Sequence, residues 1–274
     1  MTLVQRWRTR GLTVLTYVIV IIYLVPALWM VLTGFKTESQ AYSSIPTLLF
    51  KPTLSQFKLA FQSGFGGYLT HSLMASLIST GIALVLGIPA AYVMVFHMPY
   101  KSSRNTLFFV LSTRFMPFAA IIVPLYILYT HLHLLDTITG LVLVYTSMNL
   151  PLIIWMGRSY FLDIPHGIIE ASRIDGCSPW QSLLKVALPL SSSGITASAL
   201  LAIIFAWNDF FFAVNFTFTN VPTLPIMVSS FMTSESLFIS KLSALGTLVT
   251  IVPVALGLYA QRHLVRGLTA GAVK

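Results

Sequence analysis

Charge is scarce in this chain. Of 274 residues, 16 are Lys or Arg and 7 are Asp or Glu, 8% in all, too few hydrophilic side chains to cover a soluble globule. Cysteine is rarer still. The lone Cys177 excludes an internal disulfide and reads as a small buried side chain. No Gly-x4-Gly-Lys-Ser/Thr loop is present, so the chain lacks the usual cradle for nucleotide phosphates and is expected to hold no cofactor of its own. No nucleophile elbow or zinc-protease motif occurs either. The six histidines are scattered, and the His131-x-His133 pair has no cysteine or carboxylate cluster beside it, so no metal site is expected. The ten methionines fit lipid-facing or core packing. Nothing in the sequence marks it as an enzyme.

What the chain has is hydrophobicity. Apolar residues make up 56%, gathered in six runs at about 12–32, 72–96, 106–129, 137–157, 186–212 and 242–260. Each is long enough to cross about 30 Å of hydrocarbon as a helix, which takes roughly 20 residues. The stretches 14–25 and 195–205 are apolar on nearly every face, which rules out the alternation of a barrel strand. A helix also pairs its own amides in lipid. The fold class expected is an all-α membrane protein of six spans in a single domain, residues 1–274. The first run follows Arg6, Arg8 and Arg10 but is too long for a secretory signal and ends without a cleavage site.

The formal charge of +9 reports orientation rather than nucleic-acid binding. With the N-terminus inside, Arg6, Arg8, Arg10, Lys101, Arg104, Arg158, Arg173, Lys185, Arg262, Arg266 and Lys274 fall inside. Lys36, Lys51, Lys58 and Lys241 fall outside, and Arg114 lies within a span. That bias predicts both termini in the cytoplasm.

The internal interruption 158–185 reads as two short helices. Pro165 suits a first helical turn and Gly176 the left-handed position that ends one. Ser178, with Pro179 next and Gln181 three residues on, forms a capping box for the second. The first helix carries Glu170 and Asp175, small residues at Ala171, Ser172 and Gly176, and isoleucines at 168, 169 and 174. Such a helix is suited to docking; an ordinary connecting helix on the membrane surface has the same composition.

The order Glu170-Ala171-Ser172, three residues, Gly176, nine residues, Val186, one residue, Leu188-Pro189 resembles the EAA loop of binding-protein-dependent ABC importer permeases. The family form is Glu-Ala-Ala, x3, Gly, x9, Ile, x, Leu-Pro; Ser172 and Val186 depart from it conservatively. Phe35-Lys36-Thr37, the turn Leu134-Leu135-Asp136-Thr137, Ala206-Trp207-Asn208-Asp209 and the tail from Arg266 to Lys274 resemble the carbohydrate branch, the tail being similar to the second permease of maltose-type importers. Leu111-Ser112-Thr113-Arg114, Asn149-Leu150-Pro151 with Trp155-Met156, and Leu237 to Ala244 look closest to mannitol/sorbitol permeases.

The resemblance implies a bacterial inner-membrane subunit without its own ATPase. Its partners would be a second homologous permease, two ATPase subunits that bind ATP and Mg, and an external substrate-binding protein. Glu170 and Asp175 would make the polar contacts of the coupling loop 158–185, Ala171, Ser172 and Gly176 would permit close packing, and Leu188-Pro189 would join the loop to the fifth span. The expected cargo is a sugar alcohol; a di- or oligosaccharide such as maltose or trehalose, or glycerol phosphate, is the alternative.

Polar groups at membrane depth mark a substrate path, and Arg114, Tyr145, Asn149, Trp207, Asn208 and Asp209 are the candidates. Each has a packing role open to it: Arg114 snorkelling or pairing with a carboxylate, Asn149 satisfying a carbonyl near Pro151, Asp209 nearing the outer interface. The external interruption at 213–241 is expected either to touch the binding protein or to pack as a re-entrant segment. The rival from another class, an ion-coupled carrier, calls for an inverted repeat and buried acidic ligands, and neither stands out.

Overall fold

The computed structural model describes residues 3–43, 48–232 and 238–270, with side chains described from Gly11 to Gln261 within those ranges. The side chains of Arg6, Arg8, Arg10, Arg262 and Arg266, the last residues of the tail, and Leu237 lie outside the described part, so the charge count and the tail motif are not tested there.

Helices appear in the order α1 (Leu3–Gly34), α2 (Glu38–Ala41), α3 (Ser55–Gln62), α4 (Phe65–Phe96), α5 (Tyr100–Phe115), α6 (Phe118–His131), α7 (Ile138–Leu162) and α8 (His166–Ile174). Then follow α9 (Pro179–Ser182), a π-helical turn (Leu183–Ala187), α10 (Leu188–Leu190), α11 (Ser192–Trp207), α12 (Phe211–Phe216), α13 (Leu224–Ser230) and α14 (Ile239–Ala270). Among the described residues there is no β-strand.

Four helices carry unbroken apolar stretches long enough to cross a membrane: Gly11–Gly34, Phe65–Phe96, Ile138–Leu162 and Ile239–Gln261. The other two expected spans are broken. Between α5 and α6 the axis turns by 86°, and between Pro179–Leu190 and Ser192–Trp207 by 84°. The span count is six if each bent pair is one span.

Both breaks have local causes. Pro117 has no N–H and disfavours helical backbone in the residue before it, and Met116 is extended at φ −67°, ψ 125°. At the second break Pro189 again removes a donor. The ladder there slips into a π-turn, with the Leu188 amide bonding the Leu183 carbonyl, and α10 ends at Ser191 (φ −99°, ψ 11°). Hydropathy ran straight through both places, so the sequence reading took each for a continuous span.

The chain forms two compact units, Met1–Phe65 with Val228–Ile251, and Gly66–Met227 with Val252–Lys274. In the first, the Ser240 hydroxyl bonds the carbonyls of Thr33 (3.0 Å) and Lys36 (2.7 Å), while its amide donates to Glu38 Oε1 at 3.2 Å. A side chain at Gly34 would lie 2.9 Å from the Ala244 backbone. Lys36 is buried with Nζ 4.4 Å from the Trp29 ring, an aromatic partner in place of a carboxylate. The Phe35-Lys36-Thr37 motif therefore forms a joint within this unit.

In the second unit α7 is the central element and α11 packs along it, Gly194 lying against Tyr160 where no side chain fits. Two apolar clusters make its core. One joins Ala83, Ile88 and Tyr92 of α4 to Ile153 and Phe161 of α7, Ala202 of α11, Leu183 and Ala187 of the π-turn and Ile169 of α8. The other joins Tyr129 of α6, Leu141 and Tyr145 of α7, Ala206 of α11, and Phe212 and Phe216 of α12.

Candidate functional site

Two short helices, α8 and α9, lie within 158–185, while its first residues to Leu162 continue α7 and its last enter the π-turn. Gly176 has φ +84°, the left-handed turn that ends α8. Ser178 and Gln181 close both halves of a capping box. Pro165 sits at the N-cap of α8, one position before the expected first turn.

One face of α8 is fixed to the core. Ile169 is buried in the first cluster, and the Ser172 hydroxyl bonds both the Ile169 carbonyl (2.7 Å) and the Ser182 hydroxyl (2.8 Å). The serine that replaces the family alanine thus ties α8 to the last residue of α9. At its ends His166 meets Phe96 edge-on at 5.2 Å, and Arg173 donates to His97 Nε2 at 3.0 Å. The burial of His97, and then the Arg173 charge, hold its pKa below the ordinary imidazole value.

The other face is unspent. Glu170, Ala171, Asp175 and Gly176 are exposed, and neither carboxylate bonds another described residue. Ile174 is 86% exposed. Leu188 and Pro189 stand at the second helix break, joining this segment to α11.

The six path candidates fall into two sets. Arg114, Asn208 and Asp209 line one cleft of about 450 Å³ with Phe118, Met148, Phe205, Phe210 and Phe211. Arg114 stands in the last turn of α5, at the first break; it donates to the Met148 carbonyl (2.9 Å) and lies over the Phe205 ring (4.9 Å). No carboxylate pairs with it among the described residues. Asp209 Oδ2 accepts the amides of Phe212 (3.1 Å) and Ala213 (3.2 Å), capping α12. Asn208 donates back to Ile204 at 2.9 Å.

Tyr145, Asn149 and Trp207 are instead enclosed. Asn149 is fully buried and donates to the Ala202 carbonyl of α11 at 3.0 Å, so it links two helices rather than repairing its own near Pro151. Asn149 Oδ1 and Trp207 Nε1 are buried without a hydrogen bond among the described residues, as are the Thr33, Thr80, Tyr92 and Thr223 hydroxyls, and the Tyr145 hydroxyl has Asp209 beside it.

Sequence reasoning noted Asp136 only as part of a turn. Its carboxylate accepts the amides of Phe218 (2.8 Å), Thr219 (3.2 Å), Asn220 (3.0 Å) and Val221 (3.2 Å). Its own amide donates to the Phe216 carbonyl at 2.7 Å. Desolvation works against the charge, but these amides together outweigh it and hold the carboxyl below its usual range. The partners lie more than 80 residues away, so no local pattern could reveal them. The phenylalanines of the cleft were missed for the opposite reason, being indistinguishable in sequence from lipid-facing ones.

Four helices long and apolar enough to cross a membrane, with two further bent pairs, define a helical membrane protein. The model of the family described as "Binding-protein-dependent transport system inner membrane component" matches residues 83–270, and the chain belongs to that family, an ABC transporter permease of the bacterial inner membrane and not an enzyme. It is 37% identical over 258 residues to a probable ABC transporter permease protein, y4oR, of Sinorhizobium fredii, covering 94% of this chain and 92% of the relative. It is 33% identical over 258 residues to the trehalose transport system permease protein SugB of Mycobacterium tuberculosis (92% of each). To the sulfoquinovosyl glycerol transport system permease protein SmoH of Agrobacterium fabrum it is 32% identical over 256 residues (92% and 89%). The fold is similar to a chain of a bacterial ABC transporter involved in import of the acidic polysaccharide alginate, with a TM-score of 0.72, 18% identity and coverage of 96% and 98%.

Proposed function

We propose that this permease carries a di- or oligosaccharide inward, driven by a separate ATPase that grips α8. The observation that carries the reading is the division of α8 into an anchored face, with Ile169 and Ser172 buried, and an outward face with Glu170, Asp175 and Ile174 exposed, the two carboxylates unpaired among the described residues. Apolar area beside unpaired charge is the composition of a docking surface. Small residues at Ala171 and Gly176 admit a close backbone. Motion of the ATPase passes through Leu188-Pro189 to α11, which forms a wall of the cleft.

In this reading the chain spans the bilayer six times with both termini inside, and the bent pairs count as single spans. The complex holds a second homologous permease, two ATPase subunits with ATP and Mg, and an external binding protein. A glycoside cargo agrees better than a sugar alcohol with relatives named for trehalose and for sulfoquinovosyl glycerol; the mannitol/sorbitol likeness of the Arg114 motif is the weaker guide.

The test is uptake of labelled trehalose, maltose and mannitol in cells carrying the whole complex. Uptake is expected to stop when the associated ATPase is disabled and to survive a protonophore at constant ATP. Loss through collapse of the gradient alone marks an ion-coupled carrier instead, and mannitol as the one accepted compound overturns the glycoside reading.

A further inference from the structure

We infer that this chain itself holds cargo in passage, at a site built where one span breaks and another ends, and that the site is selective for uncharged saccharide rings. The inference rests on the importer reading above and asks which cargo chemistry the cleft accepts.

The cleft collects its polar groups at discontinuities. Arg114 ends α5 where the axis turns 86°, and Asn208 and Asp209 lie between the end of α11 and the start of α12. Interrupted helices within a membrane place backbone and polar side chains where a cavity needs them. The walls are phenylalanines 118, 205, 210 and 211, aromatic faces of the kind that receive the C–H side of a sugar ring.

The charges are complementary and uncommitted. Arg114 spends one N–H edge on the Met148 carbonyl and one face on Phe205, and a guanidinium has five N–H donors. Asp209 spends Oδ2 on the α12 cap. The carboxylate also interacts with the buried Tyr145 hydroxyl, and its Oδ1 is not used by the cap. Asn208 keeps its amide oxygen after donating to Ile204. No ion pair joins Arg114 to Asp209 among the described residues, though both line the same 450 Å³ cleft.

A cation with free donors facing an anion with free acceptor capacity is matched by a ligand that accepts at one end and donates at the other. Vicinal hydroxyls do both: one oxygen accepts from Arg114 while a neighbouring O–H donates to Asp209. A cargo carboxylate or sulfonate would satisfy Arg114 but meet Asp209 as a like charge in a poorly screened site, a repulsive element that selects against it.

The experiment uses the complete complex of permeases and ATPase without its binding protein, so that the cleft alone selects. Equilibrium dialysis measures binding of labelled trehalose, maltose and trehalose monouronate, the acidic counterpart. Wild type is expected to hold a neutral disaccharide at least about tenfold more tightly than the uronate. Asp209→Asn is expected to reverse that ratio, and Arg114→Gln to weaken every ligand at least about tenfold. A reversal of preference cannot arise from misfolding. Equal binding by all three proteins, in a complex that still imports a disaccharide with its binding protein, overturns the site and leaves the importer reading standing. A wild-type complex that imports no saccharide overturns that reading, and the site with it.

Discussion

The two ends of the α7 bundle treat their carboxylates in opposite ways. At the α6–α7 turn, Asp136 accepts four successive amides of the 218–221 segment, so its charge is met from within the chain. At α8, Glu170 and Asp175 bond nothing described, while Ile169 and Ser172 behind them are buried. Asp136 is spent inside the fold, whereas Glu170 and Asp175 face solvent on a helix anchored from behind, where the proposed docking would use them.

The strongest test of the contrast reverses charge at the open end. Glu170→Arg is expected to abolish co-purification with the ATPase and reduce uptake to background, while membrane insertion and the thermal midpoint of the permease stay near wild type. Normal assembly by this variant removes the docking role. A conservative counterpart, Ser172→Ala, restores the family residue but removes the hydroxyl bonded to Ser182; it is expected to assemble and to cost about 1 kcal/mol of stability.

Next in size is a packing change that neither end shares. A Cβ on Gly194 would collide with the Tyr160 ring, so Gly194→Ala must shift that ring or part α11 from α7. Overpacking of this kind costs about 1–3 kcal/mol. Thermal unfolding of the purified complex is the measurement, and an unchanged midpoint would show that the two helices are not held together here.

The closed end is probed by Asp136→Asn. Asparagine tolerates the positive φ of 55° found here, so the backbone can persist while the charge is lost. A drop of a few degrees in midpoint at pH 7 is expected, with ATPase assembly intact. Because the folded carboxyl titrates below its ordinary value, its contribution is complete above the unfolded value of about 3.9 and is lost only as pH falls below that, through the folded value. The midpoint difference between wild type and variant should therefore stay constant from about pH 5 to 8 and shrink below about pH 4. A difference that already vanishes near pH 6 would show that the carboxylate is not held by these amides.

The contrast was half legible in the sequence. The ends of α8 and its join to the next helix follow from local chemistry: Gly176 must turn left-handed, Ser178 and Gln181 cap each other, and the spacing to Leu188-Pro189 sets the joint. Asp136 gave no comparable sign, because its partners are 82 to 85 residues distant and nothing in a Leu-Leu-Asp-Thr turn names them. The helix breaks lay between these extremes. Pro117 and Pro189 were visible, yet uninterrupted hydropathy outweighed them, since lipid solvates an apolar side chain equally well on a bent or a straight helix. The division of the path candidates into an open cleft and an enclosed set depends on rotations about α7 and α11 that residue type does not encode.

The smallest effect lies at the α8 tether itself. His97 accepts from Arg173, which requires a neutral ring nitrogen, and its folded pKa lies below the ordinary value because of burial and the Arg173 charge. The unfolded chain therefore binds the proton more readily, so stability is lost as pH falls through about 6.5 toward the folded value and is unaffected above it. His97 is largely solvent-facing, and screening keeps the effect small. Between pH 7.5 and 5.5, wild type should lose a degree or two of midpoint more than His97→Gln, whose side-chain oxygen can still accept from Arg173 without titrating. Were the variant to lose just as much, the pH response would belong to another group, and the tether at this end of α8 would rest on Ser172 and Ile169 alone.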